Sequence, residues 1–162
     1  MKSITELSKL LDCNLYALSK IFVKNRITIY EQIEYGISDG FIADEIFDLI
    51  KEKVDKQISS AFTIDQILEN KSLSVPINQG AYIYFLLVGD IVVYIGQSNQ
   101  ILDRIQQHIN SDKKFDYVSI FLVDKKELDE IEQIHIYLFN PYLNKCKYDK
   151  ISIIDTIIKR CW

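Results

Sequence analysis

The chain has 162 residues, 48% of them hydrophobic and 26% charged, with 5 glycines, 2 prolines and a formal net charge of −4. This composition excludes a disordered chain, which needs low hydrophobicity and high net charge, and no apolar run approaches the roughly 20 residues that span a bilayer as a helix. The length suits one domain with a good core, or a module of about 90 residues beside a smaller helical piece.

The start, Met1-Lys2-Ser3-Ile4-Thr5-Glu6, lacks the long apolar core of a secretory signal, so a cytoplasmic location is expected. Cys13, Cys146 and Cys161 are odd in number and match no zinc spacing, which points to buried free thiols and no structural metal. Charge is divided evenly: residues 1–75 carry 9 basic and 12 acidic side chains, residues 76–162 carry 10 and 11. Proteins that grip many phosphates usually carry a basic excess. Any nucleic-acid role here must therefore rest on a local cationic groove.

Along the chain, Ile4, Leu7, Leu10 and Leu11, then Leu15, Leu18, Ile21 and Phe22, give two short runs at helical spacing separated by Asp12-Cys13-Asn14. They fit an ordinary helical hairpin or a helix-turn-helix with Asn14, Ser19, Lys20 and Lys24 toward a DNA groove. Residues 42, 46, 47, 50, 54 and 58 mark an amphipathic helix over Ile42–Ile58, and a short one is expected over Ile64–Glu69. The polar stretch Lys71–Gly80, with Pro76, reads as a loop and sets a boundary between an all-helical region, 1–75, and a second domain, 76–162.

After Gly80 the pattern becomes extended. Tyr82–Val88 and Ile91–Ile95 flank Gly89-Asp90 and read as an antiparallel hairpin. A helix over 100–109, a strand over 115–123, a helix over 125–139 ended by Pro141, and a last helix over 151–159 complete an α+β chain.

This part of the chain holds Tyr82-Ile83-Tyr84, then Tyr94-Ile95-Gly96, then Arg104, His108, Glu132 and Asn144. Arg104 and His108 are four apart and share a helix face. Phosphodiester hydrolysis needs an activated water, a cation for the charge on the non-bridging oxygens, and help for the leaving alkoxide. A free phenol, with a pKa near 10, is about one part in a thousand ionised at pH 7, so a tyrosine base needs roughly 4 kcal/mol of assistance. Glu132 and His135 also spell Glu-x-x-His, a di-iron signature, but no second copy accompanies it.

The series resembles the GIY-YIG nuclease family over roughly residues 80–145. The second motif is intact and followed by Gln97-Ser98, while the first has Tyr82 in place of glycine. The resemblance implies a small three-stranded antiparallel sheet flanked by helices. It also implies a Mg²⁺- or Mn²⁺-dependent DNA endonuclease, with Tyr84, Tyr94, Arg104, His108, Glu132 and Asn144 as site residues and Glu132 on the metal. In this scheme Tyr84, assisted by His108 and Tyr94, deprotonates water, Arg104 binds the scissile phosphate, and Asn144 orients the backbone. The alternative is a catalytically inactive DNA-binding or regulatory module of the same fold. RNA as substrate and a dimer both stay open.

One geometric expectation is independent of the family. A two-residue Gly89-Asp90 loop with unbroken pairing sets Tyr84 opposite Ile95 and turns Tyr84 and Tyr94 to opposite faces. A shared site requires a bulge or an odd-length loop.

Overall fold

Side-chain caps open the first two helices: Ser3 Oγ accepts from the Glu6 N–H at 3.2 Å before α1 (Ile4–Leu10), and Asn14 Oδ1 accepts from the Ala17 N–H at 2.9 Å before α2 (Leu15–Lys24). These caps satisfy backbone donors that a helix start leaves without partners. The computed structural model describes residues 1–34 and 37–161, with side chains described outside 31–39. It divides into two units, Met1–Ser60 together with Tyr148–Trp162, and Ala61–Lys147.

The first unit is not all-helical. Lys2–Ser3 (β1), Tyr30–Glu34 (β2) and Ile37–Ile42 (β3) form an antiparallel sheet in the order β1-β3-β2. β1 has two residues and joins β3 across some forty residues of chain, and β2 and β3 mix polar with apolar residues without a clear alternation, so local periodicity carries little sign of them. Helices α3 (Asp44–Ser59) and α7 (Lys150–Cys161) pack in the same unit, burying Phe47, Ile50 and Val54 on one and Ile154, Ile157 and Ile158 on the other. The expected boundary at 75/76 therefore falls inside the second unit, and the C-terminal helix groups with the first.

Most side chains expected to face a DNA groove are engaged locally. Asn14 is a cap, Ser19 donates to the Leu15 carbonyl at 2.9 Å, and Lys24 pairs with Asp155 at 3.0 Å. Lys20 is exposed and lies over the Tyr16 ring at 4.4 Å. All three cysteines are free, as expected, but Cys146 is exposed and Cys13 and Cys161 are half-buried. Among the described residues no helix is long and apolar enough to cross a membrane.

The second unit begins with α4 (Ile64–Glu69), opened by a capping box between Thr63 and Gln66. Its sheet has four antiparallel strands in the order β4-β7-β5-β6: Lys71–Ser72 (β4), Tyr82–Val88 (β5), Ile91–Ser98 (β6) and Tyr117–Leu122 (β7). The three expected strands are present, and the two-residue β4, read as loop, adds a fourth at the β7 edge. Helix α5 (Ile101–Ile109) covers one face, where Ile101 and Ile105 pack with Tyr82, Tyr84, Leu86 and Val118. Helix α6 (Leu128–Phe139) lies toward the other, with His135 and Phe139 near the Phe85 ring. Asn140, in the left-handed conformation at φ 44°, ends α6 just before Pro141.

Candidate active site

The β5–β6 hairpin turns at Gly89, whose φ of 57° is costly for residues with a Cβ. Pairing starts as Val88 with Ile91 and Leu87 with Val92, then shifts, so that Leu86 pairs with Tyr94 and Tyr84 with Gly96. Val93 is the extra residue of a β-bulge. The shift moves Tyr94 onto the face that carries Tyr84 and Leu86, and the two phenol rings lie 6.1 Å apart between centroids. Gly96, opposite Tyr84, leaves room for the ring, because a Cβ there would overlap Tyr84 Oη and stand 2.9 Å from Tyr94 Cε1.

Above this face, α5 presents Arg104 and His108 one turn apart. Tyr84 Oη lies 2.8 Å from His108 Nε2 and accepts from Arg104 Nε at 3.3 Å. With the oxygen taking the guanidinium proton, its own hydrogen is directed to the imidazole, giving a chain from Arg104 through Tyr84 to His108. Tyr94 packs on the His108 ring at 4.9 Å, and Lys113 Nζ stands over the Tyr94 ring at 5.1 Å. Tyr84 and His108 are buried, whereas Tyr94 and Arg104 are half-exposed.

Burial settles the protonation states. Desolvation raises the Tyr84 pKa further above its usual value, reinforced by the nearby Tyr94 and only partly countered by the Arg104 hydrogen bond. The assistance that a tyrosine base would need is not found at Tyr84, whose burial favours the neutral phenol. Desolvation, with the charges of Lys113 and Arg104, pushes His108 down to about 4. It is a neutral imidazole at pH 7, as an acceptor from Tyr84 must be.

Glu132 projects from α6 toward β6, where Gln97 follows Gly96 and so turns to the opposite face from the phenols. Gln97 Nε2 donates to Glu132 Oε2 at 2.8 Å and to Asp129 Oδ1 at 2.7 Å. Burial pushes Glu132 up, and the Asp129 charge adds to this, while the Gln97 hydrogen bond and the field of Arg104 oppose it. Arg104 thus acts electrostatically on both halves of the arrangement. Asp129 and Gln97 were not among the residues expected in the site. Asp129 lies one helical turn before Glu132, a spacing that could have singled it out.

Oxygen donors of this kind suit a hard divalent cation. Mg²⁺ keeps several waters and needs only one or two protein carboxylates, so Glu132 with Asp129 is a fitting set even though no group of three acidic, histidine or cysteine ligands occurs among the described residues. His135 is not available to such a site. Its Nε2 accepts from the Phe62 N–H at 2.8 Å, its Nδ1 lies 2.6 Å from the Ile131 carbonyl, and its ring is buried.

Asn144 stands behind the motif. Its Oδ1 accepts from the Ile95 N–H at 2.9 Å and its Nδ2 donates to the Ile95 carbonyl at 2.8 Å, while the Leu143 N–H reaches the carbonyl of the bulged Val93 at 3.0 Å. The outer edge of β6 is thereby paired by side chain and loop, which protects an edge strand and holds the bulge. Asn144 places the backbone of the Tyr94-Ile95-Gly96 motif.

The structure brings Tyr84, Tyr94, Arg104 and His108 into direct contact, sets Asn144 as a support, and places Glu132 with Gln97 toward the opposite face of β6, where only the field of Arg104 relates it to the other four. Comparison with protein-family models, curated proteins and solved structures found no match to this chain.

Proposed function

We propose that this chain is a Mg²⁺- or Mn²⁺-dependent endonuclease of the GIY-YIG type that hydrolyses phosphodiester bonds in DNA. The reading rests on one observation above the others: the Val93 bulge and the bare Cα of Gly96 let two phenols, an imidazole and a guanidinium share one face.

In this proposal Arg104, half-exposed, binds the scissile phosphate with its terminal nitrogens, and Lys113 adds a second positive charge. Tyr94 presents the hydroxyl that meets the attacking water. Tyr84, buried and neutral, holds Arg104 and His108 in register rather than acting as the ionised base first expected of it. Burial is the first cause of the low His108 pKa and the charges of Lys113 and Arg104 add to it; a bound phosphate offsets those two charges, so the imidazole gains some proton affinity when substrate is present. Glu132, with Asp129, would hold the divalent cation, which when bound stabilises charge on the leaving oxygen.

The first unit is proposed to contact duplex DNA through the exposed residues Tyr16, Lys20 and Val23 of α2. The complete burial of Tyr84 favours a second reading, a nucleic-acid-binding module without catalysis. Plasmid nicking in Mg²⁺ and in EDTA, with Tyr94→Phe and Glu132→Ala as controls, separates the two. Nicking that requires Mg²⁺, Tyr94 and Glu132 supports the nuclease; DNA binding without nicking supports the module.

A further inference from the structure

A groove of about 620 Å³ opens at Lys113, between the end of α5, the loop into β7, and the segment after β4. Its size falls within the roughly 300–1,000 Å³ of pockets that enclose small organic ligands. The walls are apolar and open to solvent: Leu73 is 82% exposed and Ile109 58%, with half-buried Phe115 between Lys114 and Asp116 on the rim. Lys113 and Lys114 supply positive charge at the mouth. The one carboxylate on the lining, Asp116, is turned to the hairpin, where its Oδ2 accepts from the Gly89 N–H at 3.0 Å.

Lys113 belongs to the groove and to the site, since its ammonium stands over the Tyr94 ring. The loop that carries it is held in place: Ser111 Oγ donates to the His108 carbonyl at 2.7 Å and accepts from the Lys113 N–H at 3.2 Å. An occupant that combines an apolar body with negative charge directed at Lys113 and Lys114 fits this groove. A nucleotide has that chemistry. A stacked duplex would keep its bases out of such a groove, whereas an unstacked base can enter it.

We infer that this groove receives an unstacked base from the nucleotide flanking the scissile phosphate, with Lys113 and Lys114 on the adjoining backbone. The inference rests on the nuclease reading and goes beyond it, because it makes the enzyme selective for strands whose bases can leave the stack. Single-stranded, mismatched or branched DNA is then the preferred substrate class.

The test compares binding of the full chain to an oligothymidylate and to an abasic strand of equal length, both labelled for fluorescence anisotropy, with Ca²⁺ in place of Mg²⁺ so that binding is read apart from cleavage. The wild-type protein should hold the base-bearing strand about tenfold more tightly. Ile109→Ser, which strips the apolar wall from an exposed position, should bring the ratio toward one. Leu73→Ser does the same from another wall should the first variant fold poorly. Equal wild-type affinities, or a ratio that neither serine lowers, would overturn the groove assignment while leaving plasmid nicking as evidence for the nuclease. Failure to bind either strand, together with failure to nick, overturns both.

Discussion

Gly96 lies directly across the hairpin from Tyr84, and the space a Cβ would occupy at Gly96 is filled by the Tyr84 phenol. The glycine of the second motif is thus a packing requirement set by the tyrosine of the first. Gly96→Ala should force the phenol or the strand to shift, an overpacking cost of about 1–3 kcal/mol. Denaturant unfolding gives the stability loss; an alanine variant as stable as wild type would contradict this packing.

Tyr84→Phe keeps the ring and removes the oxygen shared by Arg104 and His108. A buried imidazole nitrogen then loses its partner, at about 1–3 kcal/mol. On the nuclease reading, the same change should weaken nicking, because Arg104 loses one of the partners that hold it. NMR of the His108 ring reports the lost hydrogen bond directly.

Acid should destabilise the fold through His108. Its folded pKa of about 4 lies below the ordinary 6.5, so the unfolded chain binds the extra proton between these values. The contribution is fully present above pH 6.5 and is lost as pH falls toward 4. Burial lowers His135 in the same direction, so His108→Gln should reduce the slope of stability against pH without abolishing it. Thermal melts across this range measure the difference. An unchanged slope in the variant would show that His108 is not held neutral.

Gln97 holds two carboxylates with one amide nitrogen, at 2.7 and 2.8 Å. On the nuclease reading, Gln97→Ala should cost about 10–100-fold in Mg²⁺ affinity, because the carboxylates lose the group that orients them. Glu132→Ala should abolish nicking while leaving DNA binding largely intact, and Asp129→Asn should raise the Mg²⁺ requirement. A Mg²⁺ titration of nicking ranks the three. Full activity of Glu132→Ala would remove the metal assignment.

Asn144→Ala leaves both the N–H and the carbonyl of Ile95 without the partner they have now. At about 1–3 kcal/mol for each buried unsatisfied group, this should be the most damaging of these substitutions. Asn144→Asp retains the acceptor, loses the donor and adds a buried charge, so it should not rescue. Unfolding midpoints and hydrogen exchange at Ile95 give the comparison.

Elements whose apolar periodicity spans several turns or a whole strand were legible in the chain. Ile64–Glu69 was read at its observed bounds, and Ile101–Ile109 and the Gly89 hairpin to within a few residues. The strands β1 to β4 were not: β1 and β4 have two residues each and exist only through partners distant in sequence, while β2 and β3 pair locally but lack a clear apolar alternation. The site divides in the same way. Spacing singled out Tyr84, Tyr94, Arg104, His108, Glu132 and Asn144, but it could not show that Asn144 pairs with backbone, that Asp129 joins Glu132, or that His135 is committed to Phe62 and Ile131.

By itself, the amino-acid order determined which residues could carry chemistry and that a regular hairpin would separate the two phenols, because side chains alternate along a strand. Only the tertiary structure decided that Val93 bulges and that Tyr84 is buried as a neutral phenol. Register shifts and desolvation arise from what packs against a strand from elsewhere in the chain, here Leu143, Asn144 and the face of α5.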